Sequence, residues 1–162
     1  NFYAHMRNDS TEIRLQKMQK PVKQILFSCT LNAIRSVMAE GFFNRIAPEG
    51  WHAGSCGVIA GPADGFTFAV MEEAGIALDV NRQSKLFTDY NVDEIDYAVS
   101  LSVEAQFHLD SWVMDIPHEH WSVKEPFSAD ENREVQLAHY RLIRDEISTH
   151  IGELVTRITD NT

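Results

Sequence analysis

Apolar residues fall along this chain in short blocks of two kinds. Val22 to Ser28 is a run of strand type ending at Cys29, and Trp51 to Val58 and Ile95 to Leu101 repeat the pattern. The block at 95–101 is apolar almost throughout, as a strand covered on both faces should be. Between the blocks the spacing changes to three and four. Val37, Met38, Phe42 and Ile46 share one side of a helix over Ser36 to Ile46, stopped by Pro48 and Gly50. Asp64 is placed to cap a helix from Phe66 to Ala74, with Gly75 as its stop. Val103 to Leu109 predicts a short helix, and Ser111 to Ile116 a fourth strand ended by Pro117. Ser128-Ala-Asp-Glu131 is a capping-box pattern, opening a long helix in which Val135, Ala138, Leu142, Ile147, Ile151, Leu154 and Ile158 form the buried stripe.

Strands alternating with helices predict parallel βαβ units, and so a three-layer α/β/α sandwich around a four-stranded parallel sheet. Residues 22–160 read as one domain without repeat or linker, and residues 1–21 as an N-terminal extension. The five residues before Met6 read as a cloning remnant and are set aside.

Composition narrows the functional classes. With 44% hydrophobic and 23% charged residues, the chain has the balance of an ordinary folded domain. Fourteen basic against 24 acidic residues leave a net charge of −10, which argues against nucleic acid as a partner, because phosphate backbones need a basic face. No apolar run approaches the roughly eighteen residues of a membrane span. The two cysteines, Cys29 and Cys56, are too few for a disulfide framework, so a reducing, cytoplasmic setting is expected and no membrane partner.

The chemistry concentrates after the first strand. In an open parallel sheet, ligands sit at the carboxyl ends of strands. Cys29 stands at such an end, and Arg35 follows six positions later, where a helix starts. The loop between them turns backbone N–H groups inward, which makes an oxyanion cradle at a helix N-terminus, and the same donors favour thiolate. Arg35 adds a planar fork for two oxygens of a phosphate-like group, and Ser36 a hydroxyl for the sulfur. His118, Glu119 and His120 cluster, but lack the spacing of a helical ligand pair and a further ligand, so no metal is expected.

The run Cys29-Thr-Leu-Asn-Ala-Ile-Arg-Ser-Val-Met-Ala-Glu40 resembles the signature of low-molecular-weight protein tyrosine phosphatases and the arsenate reductases that share their fold, Cys-x-Gly-Asn-x-x-Arg-Ser-x-x-Ala-Glu. Ser55-Cys-Gly57 looks like the family's Ser-Ala-Gly, and Glu119-His-Trp121 followed by Glu125-Pro126 is similar to its Glu-(His/Tyr)-Trp…Asp-Pro stretch. The resemblance implies the phosphotyrosine-phosphatase I-like fold. It implies Cys29 as nucleophile, and Thr30, Leu31, Asn32, Ala33, Ile34, Arg35 and Ser36 as the phosphate-binding loop. Asn32 would brace that loop, and Ser36 would keep the thiolate poised. Glu125 stands where the family has the acid that protonates the leaving oxygen, with Asp115 as a second candidate. No metal or cofactor is required. Substrates would be a phosphotyrosine protein or a small aryl phosphate, with inorganic phosphate and other oxyanions as ligands.

The chain departs from the pattern at three places. Leu31 replaces the loop glycine, which predicts a narrower mouth and altered torsions. Glu125 replaces Asp, and the segment Val58 to Pro62 lacks the aromatic wall residue many tyrosine-phosphatase members carry. The resemblance also leaves two other readings open. In thioredoxin-coupled arsenate reductases further cysteines follow the third strand, but here no cysteine follows position 56, so reduction would need an external small thiol. The third reading is a binding module that keeps the anion cradle without useful turnover.

Overall fold

In the computed structural model, which describes residues 22–112, 115–126 and 132–161, the first strand is one of the two inner strands of the sheet. β1 (Lys23–Cys29) is flanked by β2 (Trp51–Gly57) and β3 (Tyr97–Ser100), and β4 (His118–His120) lies beyond β3. All four are parallel, in the order β2-β1-β3-β4. The chain leaves β1 to one side for β2 and returns to the other side for β3. The end of β1 is therefore the point where strand order reverses, and Cys29 occupies it.

Helices cover both faces, because alternate residues of β1 point to opposite sides. Ile25, Phe27 and Cys29 enter a core with Met38 and Phe43 of α1 (Arg35–Ile46) and with Ile147, Ile151 and Leu154 of α4 (Arg133–Asp160). Leu26 faces the other way, toward Cys56, Phe87, Ala98 and Leu109, the last carried by α3 (Val103–Trp112). α2 (Gly65–Glu73) lies on the first face, its N-terminus capped by Asp64, whose carboxylate accepts from the Thr67 amide at 2.9 Å.

Two expectations are corrected. Ser111 and Trp112 end α3 instead of opening a strand, and the fourth strand begins after Pro117. The apolar residues there are claimed by a helix face: Leu109 is buried and Trp112 packs edge-on against Phe87. Proline is tolerated at the entry of an edge strand, where its carbonyl still accepts from the Ala98 amide at 3.1 Å. The first half of α4 also buries a different stripe. Leu137, Tyr140 and Ile143 are buried, while Val135 and Leu142 are exposed and so is Ala138. The Ser128–Glu131 box lies outside the described residues; the cap is Asn132, which accepts from the Val135 amide. From Ile147 onward the expected stripe holds.

Candidate active site

The loop after β1 is held from outside, carbonyl by carbonyl. Cys29 O accepts from Val58 N at 3.2 Å, Thr30 O from Ile59 N at 2.9 Å, and Leu31 O from Gly61 N at 2.9 Å. Asn32 O accepts from Arg82 Nη1 at 3.2 Å and from Ser84 Oγ at 3.1 Å. In a planar trans peptide the N–H points opposite to the C=O. Turning four successive carbonyls outward therefore turns the N–H groups of Thr30, Leu31, Asn32 and Ala33 toward the loop's interior. The curl is completed at Asn32, whose φ of +54° is the sole positive value outside glycine among the described residues. Asn tolerates this left-handed geometry better than most residues. Leu31, standing for the family's glycine, needs no positive φ, so the expected change of torsion there does not carry strain.

Gly57 is what lets the loop lie against β2. A Cβ at that position would stand 2.7 Å from Asn32 N and 2.8 Å from the carbonyl carbon of Leu31. Both are backbone atoms that cannot swing aside.

Asn32 orders the polar groups behind the sulfur. Its Oδ1 accepts from the Lys85 amide at 2.9 Å and faces Arg82 Nη2 at 3.4 Å, so its Nδ2 must face the two hydroxyls. Nδ2 donates to Ser36 Oγ and to Ser55 Oγ, at 2.9 Å each. With one lone pair of Ser36 Oγ occupied, its hydrogen is available to Cys29 Sγ, 2.9 Å away. Ser55 in turn donates to Glu40 Oε2 at 3.2 Å. Burial pushes the Glu40 carboxyl above its usual range, with Arg82, 3.9 Å away, pulling the other way.

Arg35, the first residue of α1, is 8% exposed, and its Nη1 donates to Val123 O at 3.0 Å and Leu101 O at 3.2 Å. Those carbonyls grip one nitrogen and set the plane of the fork. Arg35 lines a small cavity together with Cys29, Thr30, Leu31, Ala33, Ile34 and Glu125. Thr30, Arg35 and Glu125 also line an adjoining cleft of about 340 Å³, with Glu104, His120 and Lys124 further out. Thr30, Leu31, Ala33, Ile34 and Arg35 of the loop thus share one cavity with Cys29 and the candidate acid. Asn32 and Ser36 do not line it and reach the sulfur through the Ser36 hydroxyl. Asp115, exposed in the turn after α3, is not among the residues lining either space.

The other candidates resolve into structure. Glu119 is held by Trp121 Nε1 at 2.8 Å, by Arg157 Nη2 at 3.0 Å and by the Tyr97 hydroxyl. Burial works to raise its carboxyl, but those three donors outweigh it and hold it below the usual range. His120 pairs with Ser100 Oγ at 2.7 Å, and His118 Nε2 lies 3.3 Å from Asp110. Cys56 is fully buried, and burial drives its thiol far above the ordinary range. It lies on the opposite face of the sheet from Cys29, because it pairs in register with Ser28.

Arg82, Ser84 and Lys85 are contributors the sequence pattern does not single out. They sit in an irregular segment fifty residues after Asn32, and their partner is a backbone bend with no periodic signature.

A cysteine at the switch point of a parallel sheet, ringed by inward amides and sharing a cavity with an arginine, defines an α/β protein with a thiol set in a loop of backbone donors. The chain belongs to the low molecular weight phosphotyrosine protein phosphatase family, whose model matches residues 24–162. An arsenate reductase of Bacillus licheniformis is 32% identical over 142 residues, covering 85% of this chain and 96% of that protein. Among solved structures, an arsenate reductase in its phosphate-binding state superposes with a TM-score of 0.71 at 26% identity, over 85% of this chain and 99% of that one. The low molecular weight protein tyrosine phosphatase of T. tengcongensis gives 0.69 at 25% identity, over 83% and 99%.

Proposed function

We propose that this enzyme is a cysteine-dependent phosphatase that hydrolyses phosphotyrosine or aryl phosphate monoesters through a cysteinyl-phosphate. The observation that carries the reading is the shared cavity of Cys29, Arg35 and Glu125, with the Ser36 hydroxyl aimed at the sulfur. Cys29 thiolate attacks phosphorus, the ester P–O bond breaks, and Glu125 gives its proton to the departing oxygen. Glu125 then takes a proton from water as that water attacks phosphorus. The S–P bond breaks, inorganic phosphate leaves, and the thiolate is restored. Arg35 and the amides of Thr30 to Arg35 bind the non-bridging oxygens and stabilise the charge of both transition states.

Arsenate reduction is the second reading, favoured by the name its Bacillus licheniformis relative bears. Arsenate would fit the same cradle, but its reduction consumes two electrons that must come from thiols. Cys56 is the chain's only other cysteine and faces away from Cys29 across the sheet, which leaves an external small thiol as the donor. A cradle that binds phosphate without turning it over is the third outcome, motivated by Leu31 and Glu125. Turnover of an aryl phosphate and of arsenate with small thiols, measured side by side on the same preparation, separates the three. Aryl phosphate hydrolysis abolished by Cys29→Ser supports the phosphatase, and thiol-dependent arsenate turnover without hydrolysis overturns it.

A further inference from the structure

The cradle's mouth has two unlike sides. Glu125, Glu104, Lys124 and His120 line the cleft on one side. Leu31 lines the cavity on the other, with 36% of its surface exposed. A single exposed leucine is unremarkable on most surfaces. This one is fixed in place from two directions. Its carbonyl is bonded to Gly61 N at 2.9 Å, and its Cβ sits where a side chain on residue 61 would be, 2.8 Å from a Cβ built there. Gly61 therefore keeps the ground clear for Leu31. The neighbouring loop adds Ile59, 60% exposed, whose amide bonds the Thr30 carbonyl. An apolar side chain anchored at its backbone and lining the same cavity as Cys29 offers an apolar face to whatever is attached to a bound phosphoryl group.

We propose that the Leu31 side chain is a specificity wall for the leaving group, favouring a flat apolar ring over a short or polar alkyl group. The inference rests on the phosphate-monoester reading above and names the side of the site that reads the ester. One apolar contact of this size separates substrates by about tenfold or somewhat more.

Binding tests it without requiring turnover. Protection of Cys29 from iodoacetate is titrated with inorganic phosphate, methylphosphonate and phenylphosphonate, on the wild type and on Leu31→Asn, which keeps the size and removes the apolar face. The wild type should favour phenylphosphonate over methylphosphonate, and Leu31→Asn should lose about tenfold of that preference, read as the ratio of the two phosphonates after each is referred to phosphate on the same variant. An unchanged preference in Leu31→Asn, or an equal change for all three ligands, would overturn the wall and leave the phosphatase reading standing. Failure of phosphate itself to protect the wild type would remove both.

Discussion

The hydroxyl of Ser36 lies 2.9 Å from the sulfur of Cys29 and also accepts a hydrogen bond from the Asn32 amide. Asn32 Oδ1 is committed to donors on the 82–85 segment, so the hydroxyl receives a hydrogen bond from Nδ2, and toward a thiolate only the hydroxyl has a hydrogen to give. A thiolate at this position thus has a neutral donor besides the loop amides. A hydrogen bond to a charged partner contributes about 1.5–3 kcal/mol. Ser36→Ala should therefore slow alkylation of Cys29 at fixed mildly acidic pH about ten- to a hundredfold and lower kcat comparably, with the fold intact by circular dichroism. An unchanged alkylation rate would mean that the amides alone hold the thiolate.

Arg82 reaches across from a distant segment to hold both oxygens of Asn32, the residue that bends the loop. Arg82→Met should weaken phosphate protection of Cys29 and lower kcat/KM by about tenfold, as expected for a misplaced cradle. Arg82→Lys should recover part of it through one remaining donor. If Arg82→Met lowers the melting temperature but leaves phosphate affinity and kcat/KM untouched, Arg82 only stabilises the fold.

Much of this site is legible in the sequence because it is local. The apolar run ending at Cys29, the polar loop and the helix starting by Ser36 are adjacent in the chain, and each follows from short-range rules. Arg82 is not legible, since its meaning depends on a bond to a residue fifty positions away. The misread of Ser111 to Ile116 has a different cause: short apolar runs fit a strand or a helix end equally well, and only the packing of Trp112 on Phe87 decides. At the start of α4 the pattern offers two overlapping stripes, and the neighbours select Leu137, Tyr140 and Ile143 over Val135 and Leu142.

The acid role proposed for Glu125 is tested by varying the leaving group. Glu125→Gln should slow cleavage of phosphotyrosine about a hundredfold, within the usual range for general acid catalysis, and slow an ester of a very acidic phenol much less. Asp115→Asn should change neither. The reverse result would place the acid at Asp115 and detach the 119–126 segment from the chemistry.

Glu40 should leave a mark on stability against pH. Its carboxyl is raised on folding by burial, above the usual 4.5, despite Arg82 and the Ser55 hydroxyl. The folded state then holds that proton more tightly than the unfolded state does. Stability from this group is greatest below 4.5 and declines as pH rises through the window above it. The melting temperature of wild type minus that of Glu40→Gln should therefore fall as pH is raised from 4.5 toward neutrality. A difference that stays flat, or climbs, would show that Arg82 outweighs burial at this position.

In the proposed reaction Cys29 carries the phosphoryl group during turnover. Rapid acid quenching of the enzyme with an aryl phosphate, followed by peptide mass spectrometry, reads this directly. The peptide containing Cys29 should carry one phosphoryl group during turnover, the peptide containing Cys56 none, and Cys29→Ser should neither label nor turn over. Aryl phosphate hydrolysis that continues with no phosphoryl group on Cys29, or that survives Cys29→Ser, would contradict the account.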